Sequence, residues 1–211
     1  MAEEPGAPAP PRGRARRRRS LARPLGVLGT LLILCALGFA GFNLVGTWRA
    51  GVVSERLVAA VHESAARTAK LDLTPDYELD PAVPMPWVEA EGERAVGVLS
   101  VPALSLEVPV LAAEGTRGVP YLLAGSVYAR DAVIAGGNGA AQLGRLTELE
   151  PGDALTFTDV DGNTFSYTVA VHEVIDPADR ADMLGGGFDL TLFSSTVGGE
   201  MRDTIRCDLA S

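Results

Sequence analysis

The chain has 211 residues, 47% of them hydrophobic, which is enough for one modest globular domain with appendages. Of its 18 basic and 27 acidic residues, 10 and 25 fall in residues 51–211, so that part has a net charge of about −15 (10 − 25). A surface this acidic repels nucleic acid and anionic lipid, and we therefore expect no nucleic-acid partner.

The N-terminal segments predict a membrane anchor. Residues 1–24 are rich in Pro, Ala and Arg and predict a disordered, basic cytoplasmic tail. Residues 25–46, LGVLGTLLILCALGFAGFNLVG, carry no charge and as a helix span about 33 Å, enough to cross a bilayer core. A cleaved signal peptide is the alternative, but the apolar run exceeds the usual length of about 7–15 residues and no clear A-x-A site follows it. We therefore expect a single-pass transmembrane helix at 25–48, with the N-terminus in the cytoplasm and everything after Trp48 outside the cell.

Residues 49–92 predict a helical stalk followed by a linker. Val53, Leu57 and Val61 recur at the spacing of one helix face, and His62 lies beside that stripe, where we expect it to be solvated. The second part, TPDYELDPAVPMPWVEAEG, holds four prolines and many acidic residues, which favours an extended linker.

From residue 93 onward the pattern changes to short β-rich runs separated by Gly, Pro and Asp. These runs are VGVLSV, LSLEVPVL, DAVIAGG, the hairpin GDALTFTDVDGNTFSYTVAVHEVI, FDLTLF and DTIRCDLA. Many short strands with few helices predict a β-barrel or a β-sandwich. The run DPADRADM predicts a short helix with Asp176 as N-cap and Pro177 at its first position.

We expect no metal ion and no cofactor. Asp159, Asp161 and Asn163 only faintly resemble a calcium loop, since the glycine is at the fourth position and no closing Glu follows, and a tight turn explains them better. The two histidines, His62 and His172, have no Cys or second His at ligand spacing.

Several of these segments, taken in order, resemble the sortases, the membrane-anchored cysteine transpeptidases of Gram-positive bacteria. The resemblance covers roughly residues 95–210 and is carried by VGVLSVPALSLEVPVL, by the segment that begins with DAVIAGGNG, by IDPADRADM and by DLTLFSSTVGGEMRDTIRC. It implies a mostly β fold, a sortase-like closed β-barrel with short helices over residues 93–211, behind one N-terminal transmembrane helix and outside the cell membrane.

The resemblance also implies a catalytic site from which two of three side chains are missing. Sortases use a histidine after IAG, a cysteine that ends a Thr-Leu-x-Thr-Cys motif, and an arginine on the following strand. By position the histidine is Gly137 and the cysteine is Ser195, with Ser194 before it, whereas the arginine is retained as Arg202. A cysteine of pKa about 8.5 can supply a thiolate, but a serine needs an adjacent general base, and glycine can neither accept nor donate a proton.

The remaining polar residues of this region allow more than one interpretation. Arg202 either binds a carboxylate or carbonyl of a ligand, or pairs with Glu200 or Asp203 on the surface. Gly137 and its neighbour Gly136 are either what remains of a catalytic loop or a turn that needs positive φ.

Two further side chains could be proposed as substitutes in catalysis. His172 lies in a strand on the far side of the hairpin from the IAG loop, and we expect it to be packed or solvated. Cys207 is five residues after Arg202, an odd separation that predicts the opposite face of the strand, where it would be a small core residue.

We favour a catalytically inactive sortase-like protein at the cell surface, with an accessory or peptide-binding role in surface-protein anchoring or pilus assembly. Its partner would be a sorting-signal peptide or a surface or pilus protein. One alternative is an active transpeptidase or hydrolase that uses Ser195 in place of cysteine. The second alternative is an unrelated extracellular interaction module.

Overall fold

The computed structural model describes residues 22–70, 80–139, 142–184, 186–196 and 198–210. The chain divides into two compact units, the first ending at Leu44 and the second beginning at Val45. Two parts of the predicted organisation lie outside the described residues. They are residues 1–21 of the cytoplasmic tail and residues 71–79 of the stalk and linker.

The N-terminal helix α1, Ala22–Lys70, contains a candidate transmembrane span. Within its segment Gly26–Thr68, a window of 18 residues has a mean hydropathy of 2.1, and the helix is long and apolar enough to cross a membrane. In the first unit its large apolar side chains, such as Leu31 and Phe39, are exposed. A helix that is apolar on all sides and is not covered by protein suits the interior of a bilayer.

Within the second unit, the later part of α1 packs on the barrel. Val53, Leu57 and Val61, the stripe seen in the sequence, are buried together with Ala50. They form one apolar cluster with the strand residues Ala95, Val98 and Leu111 and the loop residues Val119 and Val160. The helical segment expected as a stalk therefore contributes its own apolar face to the barrel unit.

Nine strands of the described chain form one sheet that closes on itself. The strands are β1 Val88–Ala90, β2 Glu93–Val101, β3 Leu106–Leu111, β4 Tyr121–Ala124, β5 Ala132–Gly136, β6 Ala154–Asp159, β7 Thr164–Ile175, β8 Leu190–Ser195 and β9 Arg202–Leu209. Their order is β1-β2-β3-β4-β5-β8-β9-β7-β6, and β6 also pairs with β2. That pairing closes β2 to β9 into an eight-stranded barrel, to which β1 adds a short hairpin. The predicted fold class, a closed and mostly β barrel behind an N-terminal apolar helix, is confirmed.

The interior of the barrel is apolar, and the side chains of each strand alternate between this interior and the outer face. Leu99, Ile134, Leu192 and Ile205 are among the interior residues with no exposed surface. A separate cluster on the outer face consists of Val133, Ala135, Ile175, Met183 and Phe193. The same alternation determines which way the side chains at the ends of these strands point.

The short helix α2, Arg180–Leu184, begins later than the sequence suggested. The predicted N-cap, Asp176, accepts the amide of Ala178 at 2.8 Å in the turn before the helix. The amide of Asp182 instead donates to the carboxylate of Asp179 at 3.0 Å, so Asp179 is the capping residue. The prediction of a cap at 176 was wrong because Asp, Pro and Ala can form a capped turn as readily as a helix start.

A buried arginine connects α2 to the barrel. Arg206 on β9 has 1% of its surface exposed, and its Nε donates to Glu173 of β7 at 2.7 Å. Its Nη2 donates to the backbone carbonyl of Asp182 in α2 at 2.6 Å. Burial of a guanidinium is tolerated because carboxylate and carbonyl oxygens compensate for its lost hydration.

We predict that Leu57→Ala lowers the free energy of unfolding of the full chain by about 2–5 kcal/mol, because it leaves a cavity between α1 and the barrel. Thermal unfolding in detergent, followed by near-ultraviolet circular dichroism, would measure this. The matched control is Arg56→Ala, since Arg56 is exposed on the same helix, and its effect should stay within about 0.5 kcal/mol. Equal stability of the two variants would contradict the packing of α1 on the barrel.

Candidate functional site at one edge of the barrel

The three residues singled out in the sequence lie at one edge of the barrel. Gly137 directly follows β5, Ser195 ends β8 and Arg202 begins β9. The parallel pairing of β5 with β8 sets Gly136 beside Ser194, and the antiparallel pairing of β8 with β9 sets Ser195 opposite Arg202. These strand pairings bring together chain segments that are far apart in sequence.

Ser195 and Arg202 also share one face of the sheet. In β8, Leu192 belongs to the barrel interior and Phe193 to the outer cluster, so the alternation directs Ser195 outward. Ser194, with 1% exposure, has the same parity as Leu192 and lies on the inner side. In β9, Ile205 is an interior residue, and Arg202 therefore lies on the outer side.

Arg202 is positioned by the loop between β8 and β9. Its Nη1 donates to the backbone carbonyls of Gly199 at 3.3 Å and Met201 at 3.1 Å. Among the residues that the structure describes, no carboxylate forms an ion pair with it, and Glu200 and Asp203 are not its partners. The interpretation of Arg202 as one half of a surface ion pair is therefore wrong, and its remaining N–H groups can serve a ligand.

The place beside Gly137 is occupied by another side chain. A Cβ atom built on Gly137 would collide with Oε1 of Gln142 and would lie 3.0 Å from the Cα of Gly118. Neither Gly136 nor Gly137 has a positive φ, so the interpretation of this glycine pair as a positive-φ turn is wrong. What the glycine at 137 allows here is the close approach of Gln142 and of the backbone at Gly118.

Neither histidine is hydrogen-bonded to the hydroxyl of Ser195 in the described part of the chain. His172 lies on β7 opposite Ile205, whose side chain faces the interior, and its buried Nε2 has no hydrogen-bond partner. His62 lies on α1, where its Nε2 is 3.3 Å from Oε1 of Glu107. The site therefore shows no imidazole that could take the serine proton.

Cys207 lies inside the barrel, as its odd separation from Arg202 predicted. It has no exposed surface and belongs to the interior cluster. Burial raises the pKa of the Cys207 thiol to about 12, and the nearby Asp208 carboxylate adds to this effect. A thiol of this kind supplies no thiolate near neutral pH.

The hairpin between β6 and β7 is a tight turn built around a buried carboxylate. Oδ1 of Asp159 accepts the amides of Asp161 at 2.9 Å and Asn163 at 2.8 Å. Its Oδ2 accepts the side-chain amide of Asn163 at 2.8 Å and the hydroxyl of Tyr128 at 2.7 Å. Both carboxylate oxygens are thus engaged within the protein, in agreement with the turn preferred over a calcium loop.

Tyr121, which sequence reasoning did not single out, belongs to the same outer face. It lies on β4 opposite Ala135 of β5 and packs against the outer cluster. Burial raises the pKa of its phenol, the Glu114 carboxylate raises it further, and the Arg202 guanidinium lowers it. Tyr121 is therefore within electrostatic reach of Arg202. The short apolar run VPYLLAG was the signal available for this strand.

A cavity of about 560 Å³ lies between α1 and β3. His62, Glu107 and Gln142 are among its lining residues, whereas Ser195 and Arg202 are not.

The barrel is similar in structure to several sortases. Sortase C-3 of Streptococcus pneumoniae is 16% identical, the match covers 80% of this chain and 90% of that chain, and the TM-score is 0.50. Sortase A of Corynebacterium diphtheriae is 15% identical, the match covers 83% of this chain and 95% of that chain, and the TM-score is 0.50. Sortase C1 of Streptococcus agalactiae is 19% identical, the match covers 72% of this chain and 89% of that chain, and the TM-score is 0.50. No protein-family model and no curated protein matches the chain. At these identities the likeness establishes the fold: the chain has the fold of the sortases.

We predict that Gly137→His lowers the free energy of unfolding by about 0.5–1.5 kcal/mol, because the new side chain must displace the flexible end of Gln142 and its Cβ lies close to the backbone at Gly118. In the double variant Gly137→His/Gln142→Ala at least half of this loss should be recovered, while Gln142→Ala alone should have little effect. Denaturant unfolding of the four proteins gives the coupling energy between the two positions. Strict additivity would show that Gln142 does not occupy this place.

Proposed function

We propose that this protein is a catalytically inactive member of the sortase family, anchored in the cell membrane by α1, with its barrel outside the cell. It would bind a sorting-signal peptide or a surface or pilus protein at the edge that carries Ser195 and Arg202. Its role would be an accessory one in surface-protein anchoring or pilus assembly at a Gram-positive cell wall.

The observation that carries this proposal is the composition of that edge. Gly137, Ser195 and Arg202 lie at the ends of the neighbouring strands β5, β8 and β9, and this arrangement supports assigning these positions to the histidine, cysteine and arginine of sortases. An amide can be attacked only if the nucleophile loses its proton, and a serine needs a neighbouring base for that. Glycine at 137 supplies none.

Binding does not need the side chains that are missing. Proton transfer and nucleophilic attack depend on the histidine and the cysteine, whereas an arginine holds carbonyl or carboxylate oxygens by hydrogen bonds. Arg202 is retained, is oriented by two backbone carbonyls, and lies next to an apolar outer cluster that includes Ala135 and Phe193. These features support a site that binds a peptide and leaves it intact.

We predict that the full chain in detergent forms no acyl-enzyme with sorting-signal peptides in the presence of an amine acceptor, as measured by intact-protein mass spectrometry. A fluorophosphonate should label the wild type no more than Ser195→Ala, because the serine has no base. The active alternative predicts the opposite, namely a covalent adduct on Ser195 that disappears in Ser195→Ala. Such an adduct would overturn the proposal.

The proposed topology predicts which positions a membrane-impermeant maleimide can reach in intact cells. A cysteine introduced by Glu91→Cys, in the exposed β1–β2 turn, should be labelled without permeabilisation. One introduced by Ser20→Cys, in the arginine-rich tail, should be labelled only after permeabilisation. The native cysteines are an internal background, since Cys207 is buried and Cys35 lies in the apolar helix. The reverse labelling pattern would contradict the orientation.

A further inference from the structure

The outer face at the candidate site carries two long side chains with hydrogen-bond donors. Tyr121 projects from β4 and Arg202 from β9. Between these strands lie β5 and β8, which contribute the small residues Ala135 and Ser195 and the buried ring of Phe193 to the same face. The hydroxyl of Ser195, opposite Arg202, can act as a third donor.

Arg202 lacks a carboxylate partner although it lies in a very acidic domain. Residues 51–211 hold 25 acidic and 10 basic groups, yet in the described ranges Arg202 donates only to the backbone carbonyls of Gly199 and Met201. Arg94, Arg145 and Arg206 do pair with carboxylates. An oriented guanidinium without a counter-ion fits an anionic group of a ligand, above all a carboxylate, which it can bind through two parallel hydrogen bonds.

Tyr121 complements Arg202 as a neutral donor. Its hydroxyl has no hydrogen-bond partner among the described residues, and a phenol, with an ordinary pKa of about 10, is protonated at physiological pH. A protonated phenol donates to an oxygen anion and does not repel it. The nearby Glu114 is exposed and opposes an anion at this place, so the donors must outweigh its repulsion.

We propose that the group recognised at this edge is a peptide carboxylate, held jointly by the guanidinium of Arg202 and the hydroxyl of Tyr121. The inference rests on the proposed function in one respect, namely that the ligand is a peptide. It adds that the recognised group is a carboxylate and not a main-chain carbonyl. A free C-terminus and an acidic side chain are the two sources of this group.

The test uses three peptides labelled with dansyl, a fluorophore without charge at neutral pH, and the full chain in detergent micelles. The peptides are N-labelled tetra-alanine with a free C-terminal carboxylate, the same peptide with a C-terminal carboxamide, and an amidated peptide with one internal glutamate. Fluorescence anisotropy gives their dissociation constants. A carboxylate-containing peptide should bind at least about tenfold more tightly than the uncharged peptide, as expected for charge-assisted hydrogen bonds. Which of the two carboxylate peptides binds more tightly identifies the source.

Four variants attribute this preference to the residues named. Arg202→Gln should abolish it, and Tyr121→Phe, which keeps the ring, should reduce it about threefold or more. The control Arg56→Gln removes the same charge from an exposed position on α1 and should leave the preference unchanged. Glu114→Gln should strengthen binding of the carboxylate peptides and leave the amide peptide unaffected. A gain of this kind cannot result from damage to the fold.

The possible failures separate this inference from the proposed function. Equal binding of carboxylate and amide peptides, weakened in Arg202→Gln, would retain a peptide site but overturn carboxylate recognition. A preference that Arg202→Gln and Arg56→Gln diminish equally would also overturn it, since the effect would then come from overall charge. Absence of binding for all three peptides would overturn it too, while the absence of catalysis is judged separately by the acyl-enzyme measurement.

Discussion

Closure of the sheet between β2 and β6 is the constraint on which the rest of the structure depends. The pairing from Gly97 opposite Asp159 to Ser100 opposite Thr156 joins β2 to β6, which ends the strand order, so that β6 is not left as an unpaired outer strand of the sheet. Gly97 allows this approach, because a Cβ atom there would collide with the carbonyl of Thr158 and the ring of Phe157. Within the closed barrel, the pairings of β5 with β8 and of β8 with β9 set the relative positions of these strands, and with them the candidate site.

At the candidate site, the positions of the residues and the chemistry of their side chains are separate properties. Strand pairing specifies where residues 137, 195 and 202 lie, and it depends on backbone hydrogen bonds and on the alternation of side chains. The side chains at those positions can change without disturbing the pairing, since Gly137 and Ser195 are small and half-buried. Under the proposed function, this barrel keeps the strand layout of a transpeptidase without the groups that transfer protons.

The sequence predicted the strands that are long and β-rich, but beyond the hairpin of β6 and β7 it did not indicate which strands pair. The runs that became β2, β3, β5 and the β6–β7 hairpin were recognisable from composition and turn residues. The four-residue β4 was not, since it is too short to show alternation and pairs with β3 through a single residue pair. Tyr121 lies on that strand, and its relation to Arg202 exists only because the sheet brings β4 and β9 to one face. The place of Gln142 beside Gly137 also depends on loop conformation, which residue types alone do not specify.

The hydrogen bond between Arg206 and α2 allows the amino-acid sequence of this helix to vary. Arg206 holds the helix chiefly through the main-chain oxygen of Asp182, and that oxygen is present whatever amino acid stands at 182. Substitutions in α2 can therefore alter the surface beside the outer cluster without detaching the helix from the barrel. Variation during evolution would be tolerated there and resisted at Arg206, because lysine lacks the planar fork that reaches β7 and α2 at once.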